Sequence, residues 1–207
     1  MPRFVNVLKA RSRSMHTSHQ LRGQTVVTPK PATIDNFARY LAEQRAVHAA
    51  MRTFPVRLAV DFVEALETDL WFLELEVWHA DMPWLLQDPY VSEYATFLKD
   101  LPVPRLACHV YNLVFAHLVG GNRRVAEAAL EGVLPTSWLD ASEFYRLPAR
   151  VSAEELDDLR DRLEAEARRW TRADRRACAD ETASAFARAS RLNALLLTTQ
   201  ETTETTR

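Results

Sequence analysis

The chain has 207 residues, enough for one hydrophobic core and short for two independent ones. Charged residues make up 26% and the formal net charge is −2, so no global excess of cations is available for phosphates and a general nucleic-acid binder is excluded. No apolar run reaches about 18 residues, so no membrane span is expected. Cys108 and Cys178 have neither metal-type nor redox-type spacing and read as reduced thiols of a non-secreted protein.

Only four glycines occur, while Ala, Leu, Glu and Arg abound, a mix that favours helix. The first helix is expected from about Phe4 to Gln20, ending before Arg22-Gly23 and the Pro29-Lys30-Pro31 linker. Its basic, Ser-containing opening lacks a signal-peptide apolar region and is too short for a transit peptide. Thr33 stands where an N-cap would, before a helix from Ile34 to Met51. After Pro55 the longest amphipathic pattern begins, with Ala59, Phe62, Val63, Leu66, Leu70, Leu73 and Val77 at helical spacing. Trp71, Trp78 and Trp84 lie in or just after it, which marks a core helix; the Met82-Pro83 break then precedes a shorter one near Val91 to Leu98.

Pro102 and Pro104 introduce the most apolar helix, expected from Leu106 to about Leu130. The stretch from Leu134 to Pro148 reads as irregular. Ser152-Ala-Glu-Glu155 has capping-box spacing and opens a charged helix reaching Trp170, and a last helix is expected from Ala173 to Leu197. No internal repeat and no strand-type alternation of useful length is present. The fold class is therefore all-α, one domain over residues 1–198 with a polar tail over 199–207 that has nothing to bury.

Two stretches carry chemistry. On the first helix Lys9, Arg13, His16 and Gln20 fall within about 40–60° of one another, on a single stripe, with Lys9 and His16 roughly 10 Å apart along the axis. An imidazole flanked by cations suits a flat metal macrocycle with acidic groups at its edge: the ring takes the metal and the cations meet the carboxylates. Gln20 is placed to accept from the imidazole N–H and fix its orientation. Taken alone, a histidine on a basic helix is usually a solvated side chain.

The second stretch, Cys108-His109-Val-Tyr111 through His117-Leu-Val-Gly120-Gly121, lies inside the most apolar helix. Each glycine in a helix interior costs about 1 kcal/mol relative to alanine. Close approach of backbone to a ligand, a deliberate bend or a tight helix crossing would each account for the pair. His117 and Gly121 are one turn apart, so on a continuous helix they share a face.

These residues resemble the plant and algal branch of the haem oxygenases. The resemblance covers about residues 4–197. It rests on Met15-His16-Thr17 with Gln20; Thr68-Asp69-Leu70 with Trp71-Phe72; Cys108-His109-x-Tyr111-Asn112 with Phe115-Ala116-His117 and Gly120-Gly121; and Trp170-Thr171-Arg172 with Cys178, Glu181-Thr182 and Phe186. It implies an all-α fold with haem between the first helix and a kinked distal helix. By position His16 matches the iron ligand, Lys9 and Arg13 basic residues near the propionates, and Tyr111 a tyrosine there. His117 matches the residue that organises distal water, and Gly120 and Gly121 the glycines that pass over the haem. His109 matches a family histidine that is not a ligand, and Arg160 and Arg162 fall where the family places basic residues toward the propionates. After Gly121, Asn122-Arg123-Arg124 leads straight into Val125-Ala126-Glu127, about one turn shorter than the family pattern, and sets two arginines where apolar residues are expected.

What the resemblance implies for function is haem as both cofactor and substrate, opened to biliverdin, carbon monoxide and ferrous iron with O2 and electrons from ferredoxin, by a monomer in the plastid stroma. Arg168, Arg169, Arg172, Arg175 and Arg176 form a basic stripe suited to an acidic partner, or a solvated face paired with Glu164, Glu166 and Asp174. Two rivals remain. One is a haem- or tetrapyrrole-binding protein without turnover. The other is a di-iron site on Glu76-x-x-His79, which has the right spacing but no second copy.

Overall fold

Phe4, Val5 and Leu8 recur at helical spacing and are all buried, which fixes the inward face of the first helix, α1 (Phe4–Arg22). The coordinates are a computed structural model that describes residues 3–22, 33–58, 60–73, 92–131, 134 and 136–196, apart from the side chains of residues 16–22, 92 and 136. The start of α1 is anchored twice. The Val5 N–H donates to the Glu164 carboxylate at 3.1 Å, an anion at the positive end of the helix dipole, and the Phe4 ring meets Trp170 edge-on at 5.5 Å.

The second helix, α2 (Ile34–Met51), opens on Thr33, whose hydroxyl oxygen accepts from the Asn36 N–H at 3.1 Å. The third, α3 (Phe62–Leu73), starts later than the apolar spacing suggests because Asp61 caps it, accepting from the Val63 and Glu64 N–H groups at 2.9 and 3.2 Å. The Arg52 guanidinium, bonded to the same carboxylate at 2.6 and 2.7 Å, holds Asp61 below the usual carboxylate range. The expected continuation to Val77, with Trp78, Trp84 and the Met82-Pro83 break, lies outside the described residues, as does the polar tail.

The helix α4 (Ser92–Lys99) follows, and Pro102 then opens the apolar segment. The single helix expected over Leu106 to Leu130 is instead built in pieces. These are α5 (Val103–Val110), a π-helical turn (Tyr111–Phe115), the short α6 (Ala116–Leu118) and α7 (Gly121–Leu130). Between α6 and α7 the chain passes through Gly120 at φ +80°, a left-handed conformation that costs a residue with a Cβ about 1–2 kcal/mol. That glycine ends one helix and starts another, so the pair is punctuation as well as clearance.

The stretch expected to be irregular is helical in short lengths: α8 (Thr136–Ala141), α9 (Glu143–Arg146) and a 3-10 turn (Leu147–Arg150). Tertiary bonds start the second of them. Asp69, 3% exposed at the far end of α3, accepts from the Ser142 hydroxyl at 2.5 Å and from the Glu143 and Phe144 N–H groups at 2.8 and 3.1 Å. The predicted capping box forms, with Glu155 N–H to Ser152 Oγ at 3.1 Å and Ser152 N–H to Glu155 Oε2 at 2.8 Å, and opens α10 (Ala153–Arg168). A second box, Thr171 with Asp174, starts α11 (Arg172–Ala194), so α10 stops short of Trp170.

The helix α11 packs along α5, α2 lies on α3 and α4, and α1 runs over α11 and α10. Phe37, Tyr40, Leu41, Leu66, Leu73 and Phe144 are fully enclosed in one core, each apolar side chain contributing roughly 1.5–3 kcal/mol by burial. Every regular element among the described residues is helical, and the fold is all-α. None of these helices is long and apolar enough to cross a membrane.

Candidate functional site

The two chemistry-bearing stretches face each other across a cavity of about 690 Å³. From α1 come Asn6, Lys9, Ser12 and Arg13; from the π turn and its sequel come Tyr111, Phe115, Ala116 and Gly121. Arg160 of α10 and Phe186 of α11 close one end, and Gln44 of α2 reaches the wall from behind. One side-chain bond spans the walls: the Ser12 hydroxyl donates to Asn112 Oδ1 at 2.9 Å, and Asn112 Nδ2 donates to the Cys108 carbonyl at 2.8 Å.

The electrostatics along one edge are cationic. Lys9 and Arg13 stand exposed on α1, one helical turn apart. Arg160 pairs with Asp157 and sets its guanidinium carbon 5.5 Å from the centre of the Phe115 ring. Burial raises the Tyr111 phenol above its ordinary value, while Arg160 and Arg13 pull it the other way, so all three sit within one field. The phenol stays protonated and able to donate. The remaining lining mixes apolar side chains, among them Leu113, Phe115, Val119, Val125 and Phe186, with the polar Asn122, Asp157, Ser190 and Asn193.

The glycines do different work. Gly121 lines the cavity in ordinary helical geometry, and a Cβ there would stand 3.0 Å from the Ala116 carbonyl oxygen. Gly120 has open space around its missing side chain and is needed for its backbone angle alone. The π turn adds a residue within the helix and widens it where Tyr111 and Phe115 meet the cavity.

Lys9, Arg13, Tyr111, Arg160 and Gly121 are thus brought together. His16 and Gln20 lie in α1 by backbone, one and nearly two turns beyond Arg13, and their side chains are outside the described residues. His117 is not brought to this cavity. Its ring is 1% exposed, stacks on Phe144 at 3.9 Å, and its Nε2–H donates to the Phe144 carbonyl at 2.8 Å. The break at Gly120 separates it from Gly121, so the shared face of a continuous helix does not exist. Arg162 is not brought there either: it pairs with Asp158 and donates to the Arg57 carbonyl at 2.8 Å. Burial pushes the His117 imidazole down to about 4, which keeps it neutral.

His109 is fully buried on the far side of the same segment. Its Nδ1 accepts from the Tyr94 hydroxyl at 2.9 Å, and its Nε2 faces Glu181 Oε1 at 3.4 Å, with Arg105 on the other carboxylate oxygen. Burial takes the imidazole down to about 4 although Glu181 opposes it. Burial alone would raise the Glu181 carboxyl; Arg105, Ser184 and His109 together hold it below its usual range. The Glu181-Thr182 and Cys178 matches are therefore parts of the α5–α11 contact.

Of the basic stripe, Arg169 pairs with Glu166, Arg176 with Asp180 at 3.8 Å, and Arg175 donates to the Ala167 carbonyl at 2.9 Å; Arg168 and Arg172 are exposed. The two arginines after Gly121 do not enter the core: Arg123 binds Glu127 and Asp140, and Arg124 is exposed. Glu76 and His79 lie outside the described residues, and no group of three or more metal-ligating side chains occurs among the described ones. Sequence reasoning missed Ser12, Asn112, Phe186 and Gln44 as lining residues. The signal for Gln44 was a polar side chain inside an otherwise apolar stripe with Tyr40, Leu41 and Val47.

No family model matches the chain. Among curated proteins it is 27% identical over 201 residues to heme oxygenase 1, chloroplastic, of Oryza sativa subsp. japonica, covering 88% of this chain and 67% of that one. It is 26% identical over 217 residues to heme oxygenase 1, chloroplastic, of Arabidopsis thaliana, covering 94% and 74%. A stretch of 112 residues is 32% identical to a rice protein named probable inactive heme oxygenase 2, chloroplastic, covering 51% of this chain and 32% of that protein. Over most of its length the chain is thus similar to plant chloroplastic haem oxygenases.

Proposed function

We propose that the cavity between α1 and the glycine-broken segment seats haem, and that the chain is an oxidoreductase that opens the haem ring to biliverdin, carbon monoxide and ferrous iron. The observation that carries the reading is the donor set: a slot with apolar stretches of wall at Leu113, Phe115, Val119 and Phe186, with Lys9, Arg13, Tyr111 and Arg160 gathered at its edge and bare backbone at Gly121. A planar apolar dianion needs such a set, with apolar walls for its faces and cations with a hydroxyl for its carboxylates.

When bound, haem would supply both the iron that activates O2 and the carbon skeleton that is oxidised. The chain's part is to hold and to shield. Lys9, Arg13 and Arg160 would meet the propionates, and the Tyr111 hydroxyl would donate to one of them. His16 would hold the iron from α1, with Gln20 fixing its ring; at seven residues beyond Lys9 it lies about 10 Å along the helix, the span from carboxylate edge toward the centre of the macrocycle. Gly121 would admit the ring face close to backbone, and a Cβ there would crowd the Ala116 carbonyl oxygen at 3.0 Å. Leu113, Phe115 and Phe186 exclude bulk water. His117 supplies no atom to the lining and acts through Phe144, which it holds against the back of the segment.

Electrons would come from ferredoxin, an acidic partner that the exposed Arg168 and Arg172 suit, in the plastid stroma where the named relatives are chloroplastic. The inward turn of His117 favours a second reading, a protein of the same fold that holds haem or another tetrapyrrole without turnover, as does the likeness to a relative named as probably inactive. A haem titration followed by incubation with ferredoxin or ascorbate separates the two: growth of biliverdin absorbance as the Soret band falls supports the enzyme, and a persistent Soret band supports the holder. His16→Ala should lose the histidine-type Soret spectrum, and added imidazole should restore it; an unchanged spectrum removes His16 as the ligand.

A further inference from the structure

The distal-face polarity expected of His117 has another source in the wall of this cavity. Gln44 lines the cavity from α2, yet is only 1% exposed. Its Nε2 donates to the Tyr40 hydroxyl at 2.8 Å, and Tyr40 is itself fully enclosed, so the amide is held in one orientation. Its Oε1 has no hydrogen-bond partner among the described residues. A buried acceptor left unpaired opposes folding, and α2 places Gln44 among Tyr40, Leu41 and Val47, where an apolar side chain would continue the stripe. A glutamine pinned at one end and buried unpaired at the other stands in the wall of a cavity, where a guest can supply the missing donor.

We propose that the Gln44 carboxamide, not His117, is the group through which this cavity hydrogen-bonds a small ligand of the seated haem, water in the ferric protein, with Oε1 as the acceptor. This rests on the haem reading above. An acceptor favours the protonated ligand, and so do polar surroundings, because neutral water on ferric haem leaves a net positive centre. Replacing Gln44 by an apolar side chain removes both effects, so the water ionises more easily.

The test is a spectrophotometric pH titration of the ferric haem complex, reading the midpoint of its acid–alkaline transition. Gln44→Leu should lower that midpoint by about half to one pH unit, a three- to tenfold change in the ionisation constant, as for loss of one hydrogen bond. Gln44→Glu should raise it by at least as much. If Gln44→Glu does not take up haem, Gln44→Met, unbranched and apolar, must reproduce the shift of Gln44→Leu. A single midpoint shared by native and variant proteins overturns the inference, as does Gln44→Leu lying above the native value, which would mean that the amide presents its N–H. A native chain with no Soret change on adding haem strikes the haem reading and this inference together; a normal Soret band with an indifferent midpoint strikes Gln44 alone.

Discussion

The two sides of the segmented helix over residues 103–130 contrast in how they treat polarity. On the α11 side, His109, Tyr94, Glu181 and Arg105 satisfy one another, and among these side chains no buried polar atom is left over for a ligand. On the cavity side, Lys9 and Arg13 stand exposed at the rim, Gln44 keeps an open acceptor, and Gly121 presents backbone. A closed polar network holds helices together; an open one recognises a guest. The difference means that His109, a residue that first draws the eye in such a sequence, belongs here to the scaffold.

The largest test of that contrast is acid. Burial pushes the imidazoles of His48, His109 and His117 down to about 3, 4 and 4, so the native protein keeps them neutral where the unfolded chain, near 6.5, protonates them. Their contribution is complete above about pH 6.5 and is lost as the pH falls toward 4, by up to about 1.4 kcal/mol per pH unit for each histidine. Denaturant unfolding at pH 7 and pH 5 should therefore differ by several kcal/mol; equal stabilities would show that these rings open to water. Next in size is Asp69→Ala, which strands two backbone N–H groups and the Ser142 hydroxyl. It should cost roughly 3 kcal/mol by the same measurement, and a loss below about 1 kcal/mol would break the view that Asp69 organises residues 142–147. The smallest effect on stability belongs to the cavity side. Gly121→Leu should cost about 1 kcal/mol, as the Ala116 carbonyl gives way, while haem affinity falls at least tenfold. A large loss of stability with haem affinity intact would erase the distinction between the two sides.

The sequence discloses the helices that carry their own signals. Thr33 and Ser152 show their caps in the local pattern, and both caps form. What is hidden depends on distant partners. Residues 136–146 have too little spacing to read as helix, and the turn over residues 143–146 is capped by Asp69, more than 70 residues earlier. The break at Gly120 is hidden for a different reason: two glycines announce a special backbone but not which of them takes the positive φ. That ambiguity decides His117, whose face relative to Gly121 follows only if the helix runs unbroken. Lys9 and Arg13 were legible from the spacing of charge along the first helix, whereas Tyr111 and Arg160 came only with the family resemblance. Gln44 was not legible, because a polar residue in an apolar stripe can as easily be a satisfied core side chain.

The Ser12–Asn112 bond has a bearing on selectivity that no charge provides. Serine and asparagine are among the shortest side chains able to link two helices, so the jaws are tied at nearly their minimum separation. Thickness would thereby be screened before any chemical group is recognised: a sheet-like guest would fit between walls so closely tied, and a puckered or bulky one would have to part the Ser12–Asn112 bond.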